Sequence, residues 1–175
     1  MQSSVCCFSG YRPEKMPSYM REGSTAFANM LSRLREAIQA ASDSGCRHFL
    51  SGMSRGFDLW AAEIVLDMQA KGYPVDLWAA IAYPGMQQYW EPLWQQRYDA
   101  ALSHAARIFP VSDRYQQACY ITRDRFLVDQ SSRCICFFDG TPGGTAYTVA
   151  YARRSGLLIH NLADMQLTFE ECFFQ

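Results

Sequence analysis

No apolar run in the 175 residues approaches the roughly 20 that a membrane-spanning helix needs, so a membrane partner is not expected. The first ten residues, MQSSVCCFSG, lack the charged start and long apolar stretch of a signal peptide, which points to the cytoplasm. The formal net charge is only −1, which counts against a strongly basic nucleic-acid binder while leaving room for a local basic patch. Nucleic acid is therefore not the expected partner. Histidine is scarce: His48, His104 and His160 are scattered, and no Ser-His-Asp or Cys-His arrangement can be assembled around them. None of the seven cysteines lies in a CxxC pair, and Cys134 and Cys136 have no nearby third ligand, so no metal site is expected. In a reducing compartment such thiols act as small hydrophobes. The GxGxxG dinucleotide fingerprint and the GxxxxGK[ST] phosphate loop are both missing, which excludes a classical dehydrogenase and an ordinary P-loop NTPase.

Hydrophobic residues make up 49% of the chain and charged residues 19%, the profile of a globular protein with a sizeable core. No linker, repeat or low-complexity segment divides it, so a single domain over 1–175 is expected. Short apolar runs alternate with longer helical patterns, the mark of β-α-β units around a parallel sheet. The runs predict strands over 5–9, 48–51, 75–81, 107–110, 133–138 and 157–161. Helices are predicted over 26–41, 58–71, 87–105, 116–130 and 145–154. The fold class is thus α/β: a Rossmann-like three-layer α/β/α sandwich with a mostly parallel sheet of about six strands. The aromatic stretch from Tyr89 to Tyr98, with Trp90 and Trp94, reads as core or partner surface. Together with the apolar tail (Phe169, Phe173, Phe174) it offers area for a homodimer.

In an open parallel sheet, ligands bind beyond the carboxyl ends of the strands. Three loops stand out there: Ser9 to Pro13, Ser51 to Asp58, and Asp139 to Thr145. In the second and third, glycines let the backbone approach a ligand, and the following helix offers unpaired N–H groups to a phosphate or carboxylate. Arg55 adds a charge, and Ser54 and Thr145 add hydroxyls. The plainer reading is that these are tight turns, with Asp58 and Thr145 as helix caps. Tyr83-Pro84-Gly85 is a candidate pocket wall, and Arg125 is spaced to pair with Asp129 on a helix face.

GYRP at 10–13, SGMSRGFDLWAAE at 51–63, YPG at 83–85, RDRFLVD at 123–129 and DGTPGGTAYTVAYA at 139–152 together resemble the YpsA-like branch of the SLOG superfamily. That superfamily also holds the DprA/Smf DNA-processing proteins and the LOG phosphoribohydrolases. The resemblance implies a Rossmann-like fold binding a nucleotide or nucleotide-derived ligand of the ADP-ribose, NAD or nucleoside phosphate kind, as a sensor or regulatory module with no required cofactor. By motif match, Gly10, Tyr11, Arg12, Gly52, Arg55, Gly56, Asp58, Glu63, Arg123, Arg125, Gly143, Gly144 and Thr145 would line the site. Asp124 stands where that branch often has Asn. The LOG motif PGGxGTxxE carries a glutamate for N-glycosidic cleavage; here Ala146-Tyr147 replaces its Gly-Thr, and Val149 and Ala150 hold the acidic positions. An N-glycosidase would need Glu63 or Asp58 as a substitute carboxylate. A third reading is DprA-like binding of single-stranded DNA.

Overall fold

The computed structural model describes residues 4–163; the apolar tail with Phe169, Phe173 and Phe174 lies outside the described residues. Six strands form one parallel sheet: β1 (Val5–Ser9), β2 (His48–Ser51), β3 (Asp76–Ile81), β4 (Arg107–Pro110), β5 (Arg133–Cys136) and β6 (Leu158–Asn161). Between them run α1 (Thr25–Asp43), α2 (Phe57–Ala70), α3 (Pro92–Ser103), α4 (Cys119–Asp129) and α5 (Gly144–Arg154). All five residues of β1 are buried, as befits the central strand of a sheet covered on both faces.

Three helices pack on one face and two on the other, giving the expected α/β/α sandwich. The first core gathers Phe27, Leu34 and Ile38 of α1, Leu59 and Val65 of α2 and Tyr98 of α3. The second gathers Leu127 and Val128 of α4 with Val149 and Ala152 of α5. Ser24 starts α1 by accepting the Phe27 N–H at 3.1 Å. α3 begins later than the aromatic pattern predicts, because Pro92 holds Glu91 extended (ψ 146°) and residues 83–90 turn instead. Trp90 and Trp94 pack against the margin of the first core.

The sheet order is β4-β3-β2-β1-β5-β6. The chain steps outward from β1 to β4, crosses back through α4, and resumes on the other side of β1 with β5. The direction of winding therefore reverses between β1 and β5. Loops leaving these neighbours run to opposite faces and leave a crevice at their carboxyl ends.

Candidate functional site

That crevice holds a cavity of about 220 Å³. It draws its walls from the β1–α1, β2–α2 and β5–α5 loops and from the inner face of α4.

The first two loops are fitted together at the backbone. Phe57 N–H donates to Tyr11 O at 3.1 Å. Gly56, at φ 86°, lies so close that a Cβ there would stand 2.5 Å from Tyr11 O. A Cβ on Gly10 would stand 2.3 Å from Phe57 Cγ. These two glycines are required by close approach between loops, whatever they contribute to a ligand. In the same stretch Met53 is fully buried at φ 63°, the one non-glycine residue with positive φ among the described residues. Held strain of this kind gathers at ligand sites.

The third loop is tied to the first by side chains. Tyr11 Oη donates to Asp139 Oδ1 at 2.6 Å, and Thr145 Oγ1 donates to Gly10 O at 3.0 Å. Burial, then the Asp139 carboxylate, pushes the Tyr11 hydroxyl up, while the hydrogen bonds from Tyr11 and Thr141 hold Asp139 down. Thr145 is thus a clip between loops rather than a cap. α2 and α5 start at Gly56 and Gly143, neither of which has a side chain to cap the helix. The α5 N-terminus meets the cavity through Gly143, Gly144 and Thr145.

The inner wall is a buried charge cluster. Arg123 donates to Asp124 Oδ1 from Nη2 (2.9 Å) and Nε (3.2 Å), and from Nη1 to Gly52 O (3.0 Å) and Ser54 Oγ (2.9 Å). Burial works against its charge, but Asp124 and Asp58 raise it above the ordinary value. Asp58 Oδ2 accepts Ser54 N–H at 3.3 Å. Burial pushes the Asp58 carboxyl up to about 6; Arg123 pulls it down and Asp124 pushes it up. With two carboxylates around one guanidinium, the cluster carries an excess of negative charge. The rim is the reverse: Arg12 and Lys15 line it, and Lys15 Nζ lies 3.5 Å from where a Cβ of Gly143 would be.

Of the residues singled out by sequence, Gly10, Tyr11, Arg12, Ser54, Asp58, Arg123, Gly143, Gly144 and Thr145 line this cavity. Gly52 stands just behind, its carbonyl on Arg123. Four others face elsewhere. Gly56 is covered by Tyr11 and Arg12. Arg55 points away and pairs with Glu14 (3.0 Å) and Glu91 (3.5 Å). Glu63 accepts Arg97 Nε and Nη2, each at 2.7 Å, because five residues after Asp58 on a helix of 3.6 per turn is another face. Of the two carboxylates considered for N-glycosidic cleavage, only Asp58 lines the cavity. Arg125, two residues after Arg123, lies on the outer side of α4 with Nε 2.6 Å from Tyr147 Oη. It does not pair with Asp129, which accepts from Tyr151 at 2.8 Å.

Lys15, Tyr120, Leu127 and Thr148 also line the cavity and were not anticipated. A signal existed: Tyr120, Arg123, Asp124 and Leu127 follow the i, i+3, i+4, i+7 spacing of one helix face. Lys15 left none, because its approach depends on how the turn at Pro13–Lys15 folds over the cavity. Among the described residues no group of His, Cys, Asp and Glu is arranged to hold a metal ion, and no helix is long and apolar enough to cross a membrane.

Comparison with known proteins places this geometry. The chain is 24% identical over 157 residues to a UPF0398 protein of Bacillus thuringiensis, covering 87% of this chain and 84% of that one. It is 22% identical over 146 residues to a UPF0398 protein of Oceanobacillus iheyensis, covering 82% and 78%. Its fold is similar to DNA processing protein A of Streptococcus pneumoniae (TM-score 0.61, 12% identity, 97% of this chain) and of Helicobacter pylori (TM-score 0.57, 12% identity, 91% of this chain). It spans 56% and 65% of those two chains. The Helicobacter protein is described as having a unique single-stranded DNA binding mode, which corrects the expectation that net charge sets nucleic acid aside. A charge of −1 sums the whole surface and hides a local cationic rim such as Arg12 with Lys15. The model of the YpsA family, described as the YspA SLOG family, matches residues 6–170, and the chain belongs to that family.

Proposed function

We propose that the cavity binds the phosphate-bearing part of a nucleotide or nucleotide-derived ligand, and that the protein acts as a sensor or regulatory module. The observation that carries this reading is the polarity of the cavity. Its rim offers Arg12, Lys15 and the α5 N-terminus to an anion, and its inner wall offers Asp58 and Asp124 to hydrogen-bond donors. Asp58 Oδ1 and Asp124 Oδ2 keep no protein partner among the described residues. A sugar phosphate has this polarity, with an anion at one end and hydroxyl donors at the other. At about 220 Å³ the cavity is below the roughly 300–1,000 Å³ of sites that enclose a drug-sized ligand, so the remainder of the ligand lies outside it.

A second reading is that the phosphate belongs to single-stranded DNA; the likeness in fold to the Helicobacter protein favours it. Thermal-shift measurements with nucleoside monophosphates, NAD, ADP-ribose and an oligonucleotide test both. A ligand at 100 times its Kd stabilises by about 2.7 kcal/mol, and each kcal/mol moves Tm by roughly 2–4 °C at this size. Lys15→Ala should reduce the shift. No shift with any of these ligands would overturn the proposal.

A further inference from the structure

An aromatic surface continues from the cavity toward β3 and β4. Tyr120 at the start of α4 lines the cavity, with Arg123 Cζ 5.4 Å from its ring centre. Tyr83, in the loop after β3, meets Tyr120 edge-on with ring centres 6.3 Å apart. It meets Tyr115, in the loop after β4, in the same manner at 5.6 Å. The two loops are laced together, Val111 N–H donating to Ile81 O at 2.9 Å and Ser112 N–H to Ala82 O at 3.1 Å. The surface therefore has a fixed base. Its outer member, Tyr115, is 63% exposed. Burial, then the Tyr120 hydroxyl, pushes Tyr83 up to about 12, so it presents a neutral ring at any ordinary pH.

We propose that Tyr120, Tyr83 and Tyr115 form a stacking shelf for an aromatic base belonging to the ligand whose phosphate the cavity holds. This rests on the phosphate reading above. The order of chemistry along the carboxyl edge of the sheet carries it. The α5 N-terminus and Lys15 stand at β5 and β1, the carboxylates of Asp58 and Asp124 in the middle, and the rings of Tyr120, Tyr83 and Tyr115 follow toward the loops after β3 and β4. A nucleotide presents phosphate, hydroxyl-bearing sugar and π-system in that order. Ring centres step 6.3 Å from Tyr120, which lines the cavity, to Tyr83 and a further 5.6 Å to Tyr115, so the shelf begins at the cavity wall itself. Aromatic rings accept any base because every base has a π-face.

Titration calorimetry with ribose 5-phosphate, the four nucleoside 5′-monophosphates and 5′-phosphorylated oligothymidylates of increasing length tests the shelf. The wild-type protein should bind at least one base-bearing probe about ten-fold or more tightly than ribose 5-phosphate. Tyr115→Ala should remove that excess while leaving ribose 5-phosphate unchanged, and Tyr115→Phe should keep it. Tyr115 is exposed, so its replacement spares the core. An excess confined to monophosphates identifies a free nucleotide as the source of the base; an excess growing with oligonucleotide length identifies a nucleic-acid strand. Equal affinity for ribose 5-phosphate and every base-bearing probe, or an excess that survives Tyr115→Ala, would overturn the shelf and leave the phosphate reading standing. Binding of none of the probes would overturn both.

Discussion

Arg55 and Glu14 are ion-paired at 3.0 Å, and the pair joins the β2–α2 loop to the turn that carries Lys15 to the cavity. Glu14 and Lys15 are adjacent, one held by Arg55 and the other beside Gly143. The turn at Pro13–Lys15 thus bridges the two glycine loops, and Arg55 holds that bridge without lining the cavity.

Arg55→Ala should therefore weaken phosphate binding by about three- to five-fold while lowering stability by less than about 1 kcal/mol, the scale of a partly exposed ion pair. Glu14→Gln should do the same, and the double variant should be no worse than either single one. Calorimetric titration of all three against a ligand found by thermal shift checks this. Full affinity in Glu14→Gln would show that the bridge is not what Arg55 supports.

Asp58 gives a pH signature. Its carboxyl is raised in the fold from 3.8 to about 6, first by burial, so the folded protein holds that proton more tightly than the unfolded chain. Its contribution makes stability fall as pH rises from about 4 to 6 and stay level above that. Asp58→Asn abolishes the effect. The gain of the variant over the wild type should be near zero at pH 4 and reach on the order of 3 kcal/mol by pH 7. Denaturant titrations of the two proteins across that range measure it, and a constant difference would contradict the assignment. The same variant should bind ligand less well, a cost common where function keeps a strained charge.

Gly56→Ala places a methyl group 2.5 Å from Tyr11 O at a φ of 86°. Both the clash and the left-handed backbone oppose it, and a loss of more than about 2 kcal/mol is expected in chemical denaturation. The loops that build the cavity would separate at the same time, so ligand binding should fall with stability.

Much of the fold was legible in the residues. Apolar runs bounded by turn residues predicted all six strands, with β1, β2 and β4 at their observed limits; β1 and β2 are buried and leave an apolar signature, whereas the edge strands β4 and β6 are largely exposed and were marked by the turn residues that bound them. The loops were legible too, since glycines followed by helical periodicity can be read locally. Which side chains within those loops face the cavity was not. Ser54 and Arg55 are neighbours in sequence, yet one hydrogen-bonds Arg123 at the inner wall and the other reaches outward to Glu14. Arg123 and Arg125 share a motif, and the turn of the helix sends them to opposite sides.

By itself, then, the sequence determined the alternation of strands and helices, the glycine loops at the strand ends and the family resemblance. These rest on local periodicity and backbone freedom. Only the tertiary structure decided that winding reverses between β1 and β5, that Asp58, Arg123 and Asp124 share one buried cluster, and that Lys15 and Tyr120 line the cavity while Glu63 and Arg55 face away from it. Those outcomes depend on contacts between segments far apart in the chain, such as Arg123 with Gly52, which packing selects and no local pattern encodes.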